Sequence, residues 1–224
     1  DECIVFDELA PWRGAREPYV VAKRRAEERA LEQARKLGLP LVVVNPSAVF
    51  GPGDWKPTPS GAAIVQFLNH GVPAAGPGGL NVVDVDDVAE GHLLAAARGR
   101  LFERYILAGD DVTYEEFFER LAEISGLSGP LLTVPVALAL LYAAGAEVAA
   151  AWTGRPPLVT VRSVREFGGR YQYYSSARAE RELGYNHRPA REALRRSIGY
   201  YVQNGYVRAR RRERLRWDVR LARA

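Results

Sequence analysis

Apolar positions along this chain recur with two periods, and segments of the two kinds alternate. From Tyr19 to Leu37 the pattern is helical, rich in Ala, Glu, Arg and Leu, and Gly38 followed by Pro40 closes it. Leu41-Val42-Val43-Val44 is a short β-branched run, the pattern of a buried strand. Asp1 to Pro18 reads as loop, and Pro46 to Ser60 holds too many Pro and Gly breakers for regular structure. Gly61 to His70 reads as a helix and Leu80 to Val85 as a strand. Asp86 or Asp87 can cap a helix reaching Ala97. Arg104 to Ala108 is another strand. Thr113-x-x-Glu116 is a capping box whose helix ends near Gly126. Leu131 to Val134 predicts a fourth strand, and Pro135 suits the first turn of a helix running to Trp152. Tyr171 to Tyr174 reads as a short strand. Ser175 or Ser176 can cap a helix ending at Gly184, and Ala190 to Asn204 forms a last helix, closed by Gly205. Strands alternating with helices imply an α/β fold containing parallel βαβ units.

Leu131 to Ala151 is apolar apart from Thr133 and Glu147, close to the roughly 20 residues a membrane span needs. Pro135 would break such a span and Glu147 would be costly within it, which favours a strand followed by a buried or groove-lining helix.

Composition narrows the class. The chain has 224 residues, 47% hydrophobic and 26% charged, a globular balance with enough length for a sizeable core. A single Cys, Cys3, excludes an internal disulfide framework. His70, His92 and His187 lie far apart without ligand spacing, so no metal site is expected. Asp84, Asp86 and Asp87 could hold a cation or serve as caps, and capping explains them better. No signal peptide opens the chain, which makes the reducing cytoplasm the default. Methionine is absent and the first residue is Asp1, which reads as a fragment, a processed form or an incomplete record.

The net charge of +4 is uneven. Val207 to Ala224 carries eight Arg against Glu213 and Asp218, so the rest of the chain is slightly acidic. This Arg-rich tail could contact nucleic-acid phosphates or an anionic membrane, with Trp217 as an interfacial anchor. A solvated helical extension or a disordered tail explains it better.

The main chemical signal is Tyr19-Val20-Val21-Ala22-Lys23. At i,i+4 spacing the phenol and the ammonium share one helix face. A nearby cation favours phenolate and lowers a tyrosine pKa from its reference of about 10. Such a tyrosine can exchange a proton with a substrate hydroxyl or carbonyl, and the ammonium has donors left for a ribose hydroxyl. The bland alternative is an exposed Tyr–Lys pair on a solvated helix.

Further segments agree in order. Asn45-Pro46-Ser47-Ala48-Val49-Phe50-Gly51-Pro52 follows the first strand. Asp84-Val85-Asp86-Asp87-Val88-Ala89-Glu90-Gly91-His92 comes later, then Arg104-Tyr105-Ile106-Leu107-Ala108-Gly109 and Ala177-x-x-Glu180-x-Glu182-Leu183-Gly184-Tyr185. With these marks the sequence resembles the extended short-chain dehydrogenase/reductase family, the NAD-dependent epimerase/dehydratase group, from Asp1 to Tyr206. Within it, Trp55-Lys56-Pro57-Thr58-Pro59-Ser60-Gly61 looks most like the hopanoid-associated sugar epimerases, beside dihydroflavonol-4-reductase-like enzymes.

The resemblance implies the C-terminal part of a Rossmann-like parallel sheet with a smaller α/β substrate-binding portion. Residues 1–50 would end the NAD(P)-binding domain, 51–206 would mix substrate-binding elements with the last Rossmann strands, and 207–224 would be the tail. Tyr19 would be the general acid/base, and Lys23 would orient the nicotinamide ribose. Pro46 and Val49 would lie near the nicotinamide of NAD or NADP, and Asn45 would contact substrate or bond local backbone. The implied reaction is epimerisation, dehydration or reduction at a secondary alcohol or carbonyl of a sugar-like or other small molecule. Many members dimerise through the helix bearing the pair. Tyr171, Tyr173 and Tyr174 could line a substrate pocket or pack in the sheet. No Gly-rich dinucleotide turn occurs in the sequence, which makes this piece by itself a poor cofactor binder and inactive alone. Leu80 stands where UDP-galactose 4-epimerase places a phosphate-pairing Arg, which weakens a nucleotide-diphosphate sugar as substrate. The competing expectation is a non-catalytic truncated remnant, or a partner-binding module using the basic tail.

Overall fold

The structure, a computed structural model, describes residues 4–11, 18–154 and 159–216. In chain order the elements are β1 (Val5–Phe6), α1 (Pro18–Leu37), β2 (Val43–Pro46), β3 (Ala48–Phe50), α2 (Pro59–His70), β4 (Ala74–Ala75) and β5 (Gly79–Asp84). They continue with α3 (Val85–Arg98), β6 (Arg104–Leu107), β7 (Asp110–Thr113), α4 (Tyr114–Ser125), β8 (Leu132–Thr133) and α5 (Val136–Thr153). Last come α6 (Val161–Phe167), β9 (Tyr171–Tyr174), α7 (Ala177–Leu183), α8 (Ala190–Gln203) and α9 (Ala209–Arg212).

The fold is mixed α/β with a mostly parallel sheet, as the alternation of patterns requires. The strands run in the order β1-β9-β5-β3, and β7 adds to β5 antiparallel. Residues 43–50 form a single extended run that changes partner at Ser47. Before it, β2 pairs with β6 (Val43 opposite Arg104); after it, β3 pairs with β5 (Ala48 opposite Val82). The change is fixed by Asn81, a buried residue of β5. Its Oδ1 accepts from Ser47 Oγ at 2.6 Å and from Gly109 N at 2.8 Å, and its Nδ2 donates to Asp111 Oδ1 at 2.7 Å.

Side-chain alternation along β5 divides the interior into two cores. Val82 joins Phe50, Ile64, Phe117, Leu194 and Ile198 on the side covered by α2, α4 and α8. Val83 joins Tyr105, Leu107 and Leu183 on the side covered by α3 and α7. Gly91 is needed where α3 crosses β6, because a Cβ there would lie 2.4 Å from Leu107 Cδ1.

Several elements depart from the sequence expectation. The strand foreseen at Leu41–Val44 lies two residues later and is only half-buried, because its outer face opens on a cleft. Strand β3 forms inside the stretch expected to be irregular, since β5 supplies the backbone partners that local breakers conceal. Strand β1 likewise exists by pairing with β9. The cap of α3 is Asp84, not Asp86 or Asp87: β5 passes straight into the helix, and Asp86 N donates to Asp84 Oδ1 at 2.8 Å. Of Ser175 and Ser176, Ser176 sits at the start of α7 but its hydroxyl donates to Glu180 Oε1 at 2.6 Å, and it is Ser175 Oγ that accepts from Ala177 N at 3.3 Å. The Thr113–Glu116 capping box is present.

Helix α5 packs on α6, and among its described residues only Ala143 is buried, while Leu141 and Trp152 stand 72% and 89% exposed; of the buried or groove-lining helix expected there, the buried form is not found, and Glu147 lines the cleft. Among the described residues no helix is long and apolar enough to cross a membrane. As far as Arg216 the Arg-rich segment is largely exposed and includes the short helix α9, as a solvated extension would be, but two apolar residues anchor it. Val207 and Leu215 are buried in the first core, Arg211 Nε donates to the Leu68 carbonyl, and Arg216 N donates to the Ser125 carbonyl. Cys3 and Trp217 lie outside the described residues.

Candidate active site

The Tyr–Lys turn opens α1. The helix is supported by Arg24–Glu28 and Glu32–Lys36 pairs at i,i+4, each at 2.6 Å, and it buries only Leu31 and Ala34, both in its second half. The first half projects. Tyr19 is 70% exposed, and Lys23 Nζ lies 5.8 Å from the centre of its ring, so phenol and ammonium share one face.

An open cleft of about 2320 Å³ runs between α1, the β2 end and the α6–β9 segment. Lys23, Glu27, Asn45, Pro46, Ser47 and Arg104 are among the residues that line it. Thus Lys23, Asn45 and Pro46 line one cleft, whereas Tyr19, one turn ahead of Lys23, is not among its lining residues and reaches it only through Lys23. Val49 is not among the cleft's lining residues and packs against the second core. Asn45 bonds neither local backbone nor open solvent alone, because its Nδ2 donates to Glu27 Oε2 at 3.0 Å. Leu80 packs against the first core and does not face the cleft.

Of the β9 tyrosines, Tyr171 and Tyr174 line the cleft, and Tyr173 lies against Gly79, where a Cβ would meet its Oη at 2.5 Å. Burial pushes the Tyr174 phenol above the usual tyrosine range. Asp84, Asp86 and Asp87 form an ionic lock, with Arg188 and Arg196 reaching Asp84 Oδ1 at 3.0 and 2.5 Å. Burial raises the Asp87 carboxyl, an effect that the Arg188 backbone N–H and guanidinium partly oppose. Among the described residues no set of His, Cys, Asp and Glu gathers in a form that could hold a metal.

The sequence reading missed Glu27, Arg104 and the Ser47–Asn81 bond. Glu27 was findable, since it falls four residues after Lys23 on the same helix face. Asn81, Arg104 and Ser47 carry no local signal, because strand pairing alone brings them to their partners.

Residues 4–108 match the NAD dependent epimerase/dehydratase family. A putative dihydroflavonol 4-reductase of Synechocystis is 38% identical over 85% of this chain and 56% of its own length. Sterol demethylase protein B of Methylococcus capsulatus is 29% identical over 76% of the chain and 52% of its own. In three dimensions the chain resembles a nucleoside-diphosphate-sugar epimerase from Pseudomonas aeruginosa, with a TM-score of 0.70 at 28% identity, covering 92% of this chain and 63% of that one. The chain therefore spans about half the length of the curated relatives it matches.

Proposed function

The chain belongs to the NAD dependent epimerase/dehydratase family, and we propose that it contributes the proton-transfer helix and the substrate-binding portion of an NAD(P)-dependent enzyme. The reaction is epimerisation, dehydration or reduction at a secondary alcohol or carbonyl of a sugar-like or other small molecule. The observation that carries this reading is the Lys23 ammonium standing 5.8 Å from the Tyr19 ring on an exposed turn at the edge of a large cleft. Relatives named as a reductase and an epimerase agree with the reaction class.

The residues at the cleft suit the nicotinamide end of the cofactor. Lys23 offers donors for ribose hydroxyls, and the exposed Pro46 at the β2 end offers an apolar face, where ligands of open α/β sheets collect. When bound, NAD(P) supplies hydride uptake and delivery at carbon. Tyr19 then donates or accepts the proton at the substrate oxygen through its Oη, and Lys23 offsets the negative charge on that oxygen. The glycine turns present serve packing instead of a pyrophosphate: a Cβ at Gly51 would lie 2.3 Å from Val85 Cγ1, and one at Gly78 would lie 2.7 Å from the Arg170 carbonyl. By this reading the chain on its own binds NAD(P) weakly, and micromolar binding in a nicotinamide fluorescence titration would overturn that part.

The test joins the chain to the portion of the Synechocystis relative that it does not cover and follows nicotinamide absorbance with sugar and flavonoid-like alcohols. Tyr19→Phe should lower turnover by about 100-fold or more while cofactor binding is retained. Unchanged turnover in that variant removes Tyr19 from its role.

A further inference from the structure

We infer that Glu27 is a positioning residue whose carboxylate latches the Tyr19–Lys23 turn of α1 onto the neighbouring ends of β2 and β6. Its functional meaning rests on the proposed role of that turn; the latch itself stands on geometry. Glu27 follows Lys23 by four residues and Tyr19 by eight, so the three lie along one side of the helix. Apolar anchoring of α1 is confined to Leu31 and Ala34. Ahead of them, from Pro18 to Ala30, every residue is exposed except Val21 and Glu27, which are partly covered. The front of the helix thus has little apolar contact to fix its direction.

Glu27 supplies the fixing. Its Oε2 accepts from Asn45 Nδ2 at 3.0 Å, and its Oε1 lies 3.0 Å from Arg104 Nη2, with the Glu27 side chain only 21% exposed. Asn45 belongs to β2 and Arg104 to β6, and these strands are held in parallel register with Val43 opposite Arg104. One carboxylate therefore ties the helix to both strands, through two donors whose positions the sheet sets. Charge-assisted bonds of this kind are about twice as strong as neutral ones.

The same arrangement governs Lys23. Lysine and glutamate at i,i+4 commonly pair with each other. Here the sheet donors occupy Glu27, and among the described residues no carboxylate pairs with the Lys23 ammonium. Lys23 is left over the Tyr19 ring at the cleft.

Amide hydrogen exchange on this chain tests the latch. Glu27→Ala should speed exchange of amides 23–29 about tenfold, with amides 31–37 and the unfolding midpoint unchanged. Alanine is the better helix former, so faster exchange cannot come from propensity. Glu27→Gln, which keeps an acceptor for Asn45, should fall between, and the reversal Glu27→Arg with Arg104→Glu should restore slow exchange. The Asn45 side-chain amide resonances should move to solvent-like positions in the alanine variant and not in the glutamine variant. Unchanged exchange at 23–29, or acceleration spread evenly over the chain, overturns the latch. In the joined enzyme described above, Glu27→Ala should lower kcat about tenfold with substrate KM nearly constant. A kcat unchanged there, while Tyr19→Phe abolishes turnover, removes the positioning role and leaves the proposed function standing. Unchanged turnover in Tyr19→Phe instead removes the proposed function, and hydrogen exchange still decides the latch.

Discussion

Replacing Asp84 should reveal how much the ionic lock between α3 and α8 stabilises the fold, and asparagine should be no gentler than alanine. Asp84 is fully buried at the end of β5. Its Oδ1 accepts from Asp86 N at 2.8 Å and from the Arg188 and Arg196 guanidinium groups at 3.0 and 2.5 Å. Its Oδ2 is buried without a partner. Asp84→Ala loses a helix cap, a cost of about 1 kcal/mol. Breaking a buried ion pair from one side costs about 3–5 kcal/mol. Two features reduce that figure. The Arg188 and Arg196 side chains keep 36% and 23% exposure, and each retains a second carboxylate, Asp87 at 3.0 Å and Asp86 at 2.5 Å. Alanine also removes the unpaired Oδ2. The net expectation is roughly 2 kcal/mol, a fall of about 1 M in a urea midpoint for a slope near 2 kcal/mol per M. Asparagine preserves the shape but not the charge. In one orientation its amide donor takes the place of the unpaired Oδ2; in the other it faces two guanidinium groups. It should therefore cost at least as much as alanine. Urea unfolding at neutral pH, followed by circular dichroism, checks both variants. A nearly wild-type Asp84→Asn, or a loss under about 0.5 kcal/mol in Asp84→Ala, would refute the reasoning.

Other consequences follow from the cores. Burial first, then the neighbouring Asp54 carboxylate that accepts from its hydroxyl at 2.6 Å, pushes the Tyr201 phenol far above the tyrosine range; Tyr185 is shifted the same way, and burial lifts Tyr114 to about 12. The unfolded chain ionises these phenols above about pH 10 while the folded chain keeps them protonated, so stability is lost as pH rises past that point, by up to about 1.4 kcal/mol per unit for each. Tyr201→Phe should flatten alkaline unfolding, and an unchanged slope would count against it. Gly61→Ala would put a Cβ 1.9 Å from Tyr201 Oη and 2.1 Å from Asp54 Oδ2, two atoms held by their mutual hydrogen bond. Its cost of about 1–3 kcal/mol should shrink in a Tyr201→Phe background, and equal costs in both backgrounds would refute the clash. Leu215→Ala should cost about 2–3 kcal/mol, where a solvated tail would cost under about 0.5, and calorimetry separates the two.

Local chemistry made much of the fold readable from the chain alone. The Thr113–Glu116 box, the glycine after α4, and the β-branched runs state their own conformation, because capping and side-chain period act over a few residues. The Tyr19–Lys23 pair was legible for the same reason: helix pitch alone brings the two side chains together. Strands β1 and β3 were not legible, because a strand beside proline and glycine is decided by its distant partner. Nor was the packing of Val49, which the pleat of β3 sets against the second core while its neighbours Ala48 and Phe50 belong with the first. The Arg-rich segment looked solvated by composition, yet two apolar residues within it, Val207 and Leu215, return it to the first core. Asn45 and Arg104 meet Glu27 only once β2 and β6 are in register. Interactions within a helical turn belong to the sequence, whereas a side chain's partner across the sheet exists only after the backbone has chosen its neighbours.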